Sequence, residues 1–237
     1  TIERDRKELC GEFCRGCGYC MPCPAGIEIN QCARMSLMLR RAPAAAWLTE
    51  EWQQKMHQIE NCRHCGHCMS KCPYGLNTPE LLQANYKDYW EDKILALCAE
   101  NEQFYRYHPP LATRESVLED MTALPPGKCA ADKHYLGFFD RETLVAVLDL
   151  IERYPQDDTA YIGFFMTKKE RQGYGLGSTF IGELMDELRR EKFCKVRLAV
   201  DRGNPQSKAF WEKNGFALMG EEFPHGDSAY LPMERAL

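Results

Sequence analysis

Two runs of cysteine, spaced at regular intervals rather than scattered, set the first limit on what this chain can fold into. Cys14, Cys17, Cys20 and Cys23 stand in a C-x2-C-x2-C-x2-C-Pro pattern, and Cys62, Cys65, Cys68 and Cys72 in C-x2-C-x2-C-x3-C-Pro. The second spacing is one that wraps a 4Fe-4S cluster: three thiolates hold one cluster, and the fourth, turned away by the proline after it, reaches a partner cluster. Two runs therefore imply two clusters. A disulfide framework fits poorly, because the thiols crowd at two-residue gaps and no secretory signal precedes them. Zinc normally takes fewer and more widely separated pairs. The first run is one residue short before its last Cys-Pro, which leaves Cys10 and Cys32 as alternatives to Cys23.

Between the runs, residues 29–61 are mostly Ala, Leu, Met, Arg, Gln and Glu, broken at Pro43, and read as two helices. Thr49-Glu-Glu-Trp supplies an N-cap with acids in the first turn. Thr78-Pro79-Glu80 opens another helix, running to about Trp90. Through Cys14-Arg-Gly-Cys-Gly-Tyr-Cys-Met-Pro-Cys-Pro and Cys62-Arg-His-Cys-Gly-His-Cys-Met-Ser-Lys-Cys-Pro, the segment from Cys10 to about Tyr89 resembles the C-terminal iron–sulfur extension of a group of aldo-keto reductases of anaerobic bacteria. In that family a TIM barrel precedes this segment and binds the nicotinamide cofactor, and nothing in this sequence encodes the barrel. The resemblance implies the cluster ligands alone, not reductase activity.

The second half is organised around residues 159–178. An apolar run of strand length, 159–167, leads into a loop with glycine at 173, 175 and 177, and then into a helix in which Leu176, Phe180, Leu184 and Leu188 recur every fourth residue. Such a loop places unpaired N–H groups and the positive end of a helix dipole where a pyrophosphate can approach without meeting a Cβ. The plainer reading of three glycines is a turn that needs positive φ. The spacing is neither that of Walker A nor that of the dinucleotide fingerprint. Val196 to Val200 reads as a strand, and Asn204, Pro205 and Gly215 then supply an N-cap, a first helical residue and a left-handed C-terminal cap for a short helix.

Together these residues resemble the GCN5-related N-acetyltransferase family. Gln172, Gly175 and Gly177 match its acyl-CoA loop, and Asn204, Ser207, Phe210, Gly215 and Phe216 its later signature. The resemblance, from about Ile94 to the C-terminus, implies a bulged central strand whose backbone N–H groups at Phe165, Met166 and Thr167 are free for the acetyl carbonyl and pantetheine. It implies a pyrophosphate over Gly173, Tyr174, Gly175, Leu176, Gly177 and Ser178, with Gln172 in the motif and Asn204 nearby. Many relatives place a tyrosine acid where this chain has Trp211, and an indole cannot serve. That leaves water, another tyrosine, or a reaction not limited by proton donation. Asp149 and Glu152 are the candidate bases, set against ordinary solvated or structural carboxylates. His108 and His134 read as surface or loop histidines, and Tyr105, Tyr107 and Pro110 as a wall on the amine side.

The expected architecture is α+β or mixed α/β: a small helical ferredoxin-like domain at 1–90, then an acetyltransferase domain at 91–237 with a mixed twisted sheet and helices on both faces. Residues 94–104 read as the first helix of the second domain with no strand before it. Residues 113–121 read as a helix capped by Thr113, 133–139 and 143–151 as a hairpin, and 216–222 and 229–234 as the last strands. Residues 1–90 carry 11 Lys and Arg against 10 Asp and Glu, and the remainder 19 against 25, so neither half is a basic nucleic-acid footprint. No apolar run reaches membrane-spanning length. Thr1 opens the chain with no signal peptide behind it, as in a fragment or processed product.

These readings converge on a cytoplasmic protein of an anaerobic bacterium, transferring acetyl from acetyl-CoA to a small-molecule or peptide amine. Its two 4Fe-4S clusters would sense redox state or meet a redox partner. The alternatives are an electron carrier whose acyltransferase fold is a binding module, and an uncoupled gene fusion.

Overall fold

The computed structural model describes residue 3 and residues 13–237 apart from 142, 221 and 227. The chain divides into two compact units, residues 1–93 and 94–237.

In the first unit, α1 (Ile29–Cys32), α2 (Met35–Arg41) and α3 (Glu50–His57) occupy the stretch in which two helices were expected, with 3-10 turns at Ala44–Ala46 and Gln58–Asn61. Thr49 caps α3, its hydroxyl accepting from the Trp52 N–H. The short α4 (His67–Lys71) follows, and then α5 (Thr78–Ala99). Ile27, Ile29, Met35, Met56, Ile59, Leu82 and Tyr89 form the apolar centre, each at most 2% exposed. At about 1.5–3 kcal/mol for each large side chain taken out of water, burial of these seven side chains is a large stabilising contribution to the unit. Cys14, Cys20 and Cys68 are buried in the same cluster.

α5 runs on where the sequence reading stopped it at about Trp90. The helix expected over 94–104 is therefore corrected: α5 ends at Ala99, and a separate turn, α6 (Glu102–Tyr105), follows. Asn101 causes the break. Its φ/ψ of −102/44 is not helical, and its side-chain amide donates to the Leu97 carbonyl at 2.9 Å. α7 (Arg114–Thr122) starts with a reciprocal cap between Thr113 and Ser116.

The sheet comprises β1 (Lys133–Asp140), β2 (Thr143–Ile151), β3 (Thr159–Thr167), β4 (Lys195–Asp201), β5 (Ala217–Leu218), β6 (Phe223–His225) and β7 (Ser228–Ala236). The order is β1-β2-β3-β4-β7-β5, with β6 on β7. Among the described residues only β3 and β4 pair in parallel. Their crossover is α8 (Leu176–Arg190), which buries Ile181, Met185 and Leu188, and α9 (Pro205–Lys213) follows β4. The strand expected over 216–222 is the two-residue β5, with β6 beginning at Phe223 and Gly220 turning between them at φ +89°.

Two irregularities open the middle of this sheet. Asp149 pairs with Phe164 and Leu150 with Ile162, so Gly163 is an extra residue on β3. The β3–β4 ladder stops at Ile162 and Leu198, although both strands continue. Beyond that point Gly163–Thr167 and Ala199–Asp201 part company, leaving the inner backbone groups of β3 without strand partners on that side.

Candidate functional site

A cleft of about 270 Å³ lies at this opening. Phe165, Met166 and Thr167 line it from β3; Gln172, Gly173, Gly175, Leu176, Gly177 and Ser178 from the loop and first turn of α8; and Asn204 from the start of α9. Of the residues expected to hold acetyl-CoA, Tyr174 alone does not line it, at 86% exposed, and neither candidate base, Asp149 or Glu152, lines it either.

The loop geometry has separate causes at each glycine. Gly173 and Gly175 have φ of +84° and +85°, and a Cβ at either would meet no atom within 4 Å. Gly175 is the N-cap of α8 and offers no side chain to it, so the first N–H groups of a fifteen-residue helix face the cleft without a cap. At Gly177 a Cβ would come within 3.2 Å of the Phe210 ring and 3.4 Å of Thr167. Here glycine permits close packing of α8 on α9 and β3. Lys169, Arg171 and Lys213 also line the cleft, Arg171 with its guanidinium 2.8 Å from the Asp140 carboxylate.

Gln172 is turned inward. Its amide donates to Asn101 Oδ1 at 2.7 Å and to the Thr167 carbonyl at 3.1 Å, and Asn101 donates to the same carbonyl at 3.2 Å. Asn101 is 6% exposed, and this buried knot fixes the end of β3 against the loop. Sequence reasoning missed Asn101, Lys169 and Arg171, although two cations flanking a glycine loop were a readable signal. Trp211 lines the cleft at 6% exposed, its ring against Phe165, Phe210 and Phe216.

Asp149 stands at the bulge. A Cβ on Gly163 would collide with its Oδ2, so a larger residue there must displace the Asp149 carboxylate. Its Oδ1 is 2.7 Å from Lys133 Nζ, and both side chains are nearly buried. Burial pushes its carboxyl above the ordinary value, and the Lys133 ammonium pulls the other way. Glu152 is not brought to the cleft: it lies beyond the Ile151–Tyr161 pair, with Oε1 2.8 Å from His134 Nε2. Tyr105 packs on Phe104, and burial beside Cys98 pushes its phenol far up.

On the opposite lip, Asp201 ends β4, and its Oδ1 is 3.1 Å from His108 Nδ1. The imidazole packs against Phe104, which lines the cleft and meets Phe164 edge-on. The Asp201 carboxylate raises the affinity of His108 for its proton above the ordinary value.

In the first unit, the eight cysteines of the two runs surround two cavities. Cys14, Cys17, Cys20 and Cys72 line one; Cys62, Cys65, Cys68 and Cys23 line the other. Each set takes three thiols from one run and its fourth from the other. Among the described residues no three His, Cys, Asp or Glu converge as tightly as a single metal ion needs; the thiols bound volumes instead. This donor set fits a multi-iron core held by four cysteines. Burial pushes the thiols of Cys14, Cys20 and Cys68 up, so a cationic partner is what would make thiolates of them. Cys32 stands apart, its Sγ 3.5 Å from the Lys55 carbonyl and its pKa pushed up to about 12 by burial. Cys10 lies outside the described residues. No disulfide joins the twelve described cysteines, and no described helix is long and apolar enough to cross a membrane.

A family model described as acetyltransferase (GNAT) family matches residues 82–216, and one described as a 4Fe-4S dicluster domain matches residues 13–77. The chain is similar in fold to an acetyltransferase from Thermus thermophilus, with 21% identity, 62% of this chain and 90% of that one covered, and a TM-score of 0.50. A PaiA N-acetyltransferase from Thermoplasma acidophilum, solved with coenzyme A, is 20% identical over 62% of this chain and 92% of its own, with a TM-score of 0.46. The ribosomal-protein-S18-alanine N-acetyltransferase of Escherichia coli is 16% identical over 61% and 87%, with a TM-score of 0.45. No curated protein matches the chain.

Proposed function

The chain belongs to the acetyltransferase (GNAT) family and carries a 4Fe-4S dicluster domain, and from that premise we propose that it transfers the acetyl group of acetyl-CoA to a small-molecule or peptide amine, with two 4Fe-4S clusters on its eight paired-run cysteines. The observation that carries the first part is the uncapped N-terminus of α8, opening beside the unpaired inner edge of β3.

Acetyl-CoA supplies an activated acyl carbon on a thioester, with a pyrophosphate for anchorage. The first-turn N–H groups of α8, helped by Lys169 and Arg171, receive the pyrophosphate. N–H groups of β3 between Phe165 and Thr167, released by the splay, donate to the thioester carbonyl, where negative charge grows as the amine attacks. The aromatic walls, Phe165, Phe210 and Trp211, exclude water from the reacting carbon. Asp149, ion-paired with the buried Lys133, fills the space that Gly163 leaves at the bulge. With Trp211 unable to donate to a departing thiolate, that proton comes from water.

The clusters supply one-electron chemistry, and Cys14, Cys17, Cys20 with Cys72, and Cys62, Cys65, Cys68 with Cys23, are the ligands this reading assigns. An electron-carrier role is favoured by one feature: Cys17 and Cys65, one from each set, are exposed. Calorimetric titration with coenzyme A, thiol release from acetyl-CoA with a panel of amines, and iron and sulfide analysis of anaerobically purified protein test the three parts. Absence of coenzyme A binding sinks the first, and iron-free protein the last.

A further inference from the structure

We propose that His108 is the general base of acyl transfer, taking the proton of the attacking amine, and that Asp201 is the residue that positions it. The inference rests on the acetyl-transfer reading and assigns a proton acceptor that Asp149 and Glu152 do not supply. Asp149 is spent on Lys133 and Glu152 on His134.

The dyad is built across the opening. Asp201 is the last residue of β4, three beyond the final β3–β4 pair at Leu198. Phe164, one residue past the bulge, is on the other jaw and touches Phe104, whose ring lies 5.3 Å from the imidazole. His108 thus spans from one lip to the other, one aromatic ring away from the cleft. The Asp201 side chain is 11% exposed, and its carboxylate accepts from Nδ1. That fixes the tautomer and leaves the Nε2 lone pair for a substrate proton. The His108 side chain is 43% exposed, so Nε2 can exchange its proton with solvent.

The step balances without a further reactant. The amine nitrogen forms the bond to the acetyl carbon, the carbon–sulfur bond breaks with its electron pair on the coenzyme A sulfur, and the amine proton passes to His108 Nε2 and then to water. The charged or titratable groups facing the imidazole are Asp201 on β4, Asp120 on α7 and Tyr230 on β7. Both carboxylates favour the protonated ring, so the base form gains ground only as pH rises.

The test follows thiol release from acetyl-CoA between pH 5 and 9, with water alone and with spermidine, kanamycin and a tripeptide bearing a free α-amine. Wild type is compared with H108Q and D201N, and coenzyme A affinity and thermal melting are measured for each. Wild type should show a rising limb with pH. H108Q should lower kcat/KM on the order of 100-fold and flatten the limb, while coenzyme A affinity stays within twofold. D201N should move the limb to lower pH and lower kcat about tenfold, without the full loss. Thiol release by H108Q equal to that of wild type with every nucleophile, or an unchanged limb, overturns the assignment. Failure of wild type to bind coenzyme A overturns instead the acetyl-transfer reading beneath it.

Discussion

Asn101 accepts a 2.7 Å hydrogen bond from Gln172 while both side chains donate to one carbonyl, that of Thr167. The glycine loop is thereby tied to the end of the splayed strand through a side chain 71 residues away from Gln172. A chain that can close around a diphosphate needs its loop preformed, since ordering it on binding would cost affinity.

Substitution of Asn101 by leucine should therefore leave the Thr167 carbonyl and the Gln172 amide under-satisfied. A stability loss of about 1–3 kcal/mol is expected, with coenzyme A affinity weakened about tenfold. Chemical denaturation and calorimetry measure the two. The double variant N101L/Q172L should lose less than the sum of the singles, because both remove the same knot. Strict additivity would contradict the coupling.

Gly175→Ala tests the cap of α8. Its left-handed backbone, φ +85°, makes alanine cost about 1–2 kcal/mol, and the new methyl would project into open space beside the loop. Coenzyme A binding should fall by more than the melting temperature alone accounts for. Gly177→Ala should act differently, as a clash with Phe210 at 3.2 Å, relieved in part by Phe210→Leu.

Replacing Cys23 by serine should lower bound iron and sulfide in anaerobically prepared protein and alter the electron paramagnetic resonance of the reduced state. Cys32→Ser should retain both, because its neutral buried thiol lines neither cavity. Loss of iron in the Cys32 variant with retention in the Cys23 variant would reverse the ligand assignment.

The His108–Asp201 pair also carries a pH signature in stability. Because Asp201 raises the folded-state pKa of His108 above its unfolded value, ordinarily about 6.5, the pair's contribution is fully present below that pH. It disappears as pH rises through the folded value. The melting-temperature difference between wild type and H108Q should be largest near pH 5.5 and vanish by pH 9. A difference that grows with pH would rule out the protonated pair.

The sequence was most informative wherever the cause of a structure is local. Thr49, Thr113 and Asn204 announce their helices because a cap acts over three residues, and each accepts the expected backbone N–H. The loop of Gly173 and Gly175 is legible for the same reason. Asn101 was not, since its helix-breaking conformation is held by the Thr167 carbonyl across the fold. His108 was passed over as a loop histidine because its carboxylate lies 93 residues further on. Glu152 is the converse: a carboxylate on the expected strand, carried past the opening by the register of β2 on β3. The crossed cysteine sets were implied by the prolines after Cys23 and Cys72, while the shortened first run gave no means of choosing Cys23 over Cys32.

The exchange of one thiol between the two cavities has an outcome for maturation. Cys72 closes the set built on the first run, and Cys23 closes the set built on the second. On the two-cluster reading, neither inorganic core can be completed until the other run is already in place. Loading should then be all-or-none, with half-filled protein scarce. Oxygen attack on one core would free a loop that the other depends on, so damage would spread to both.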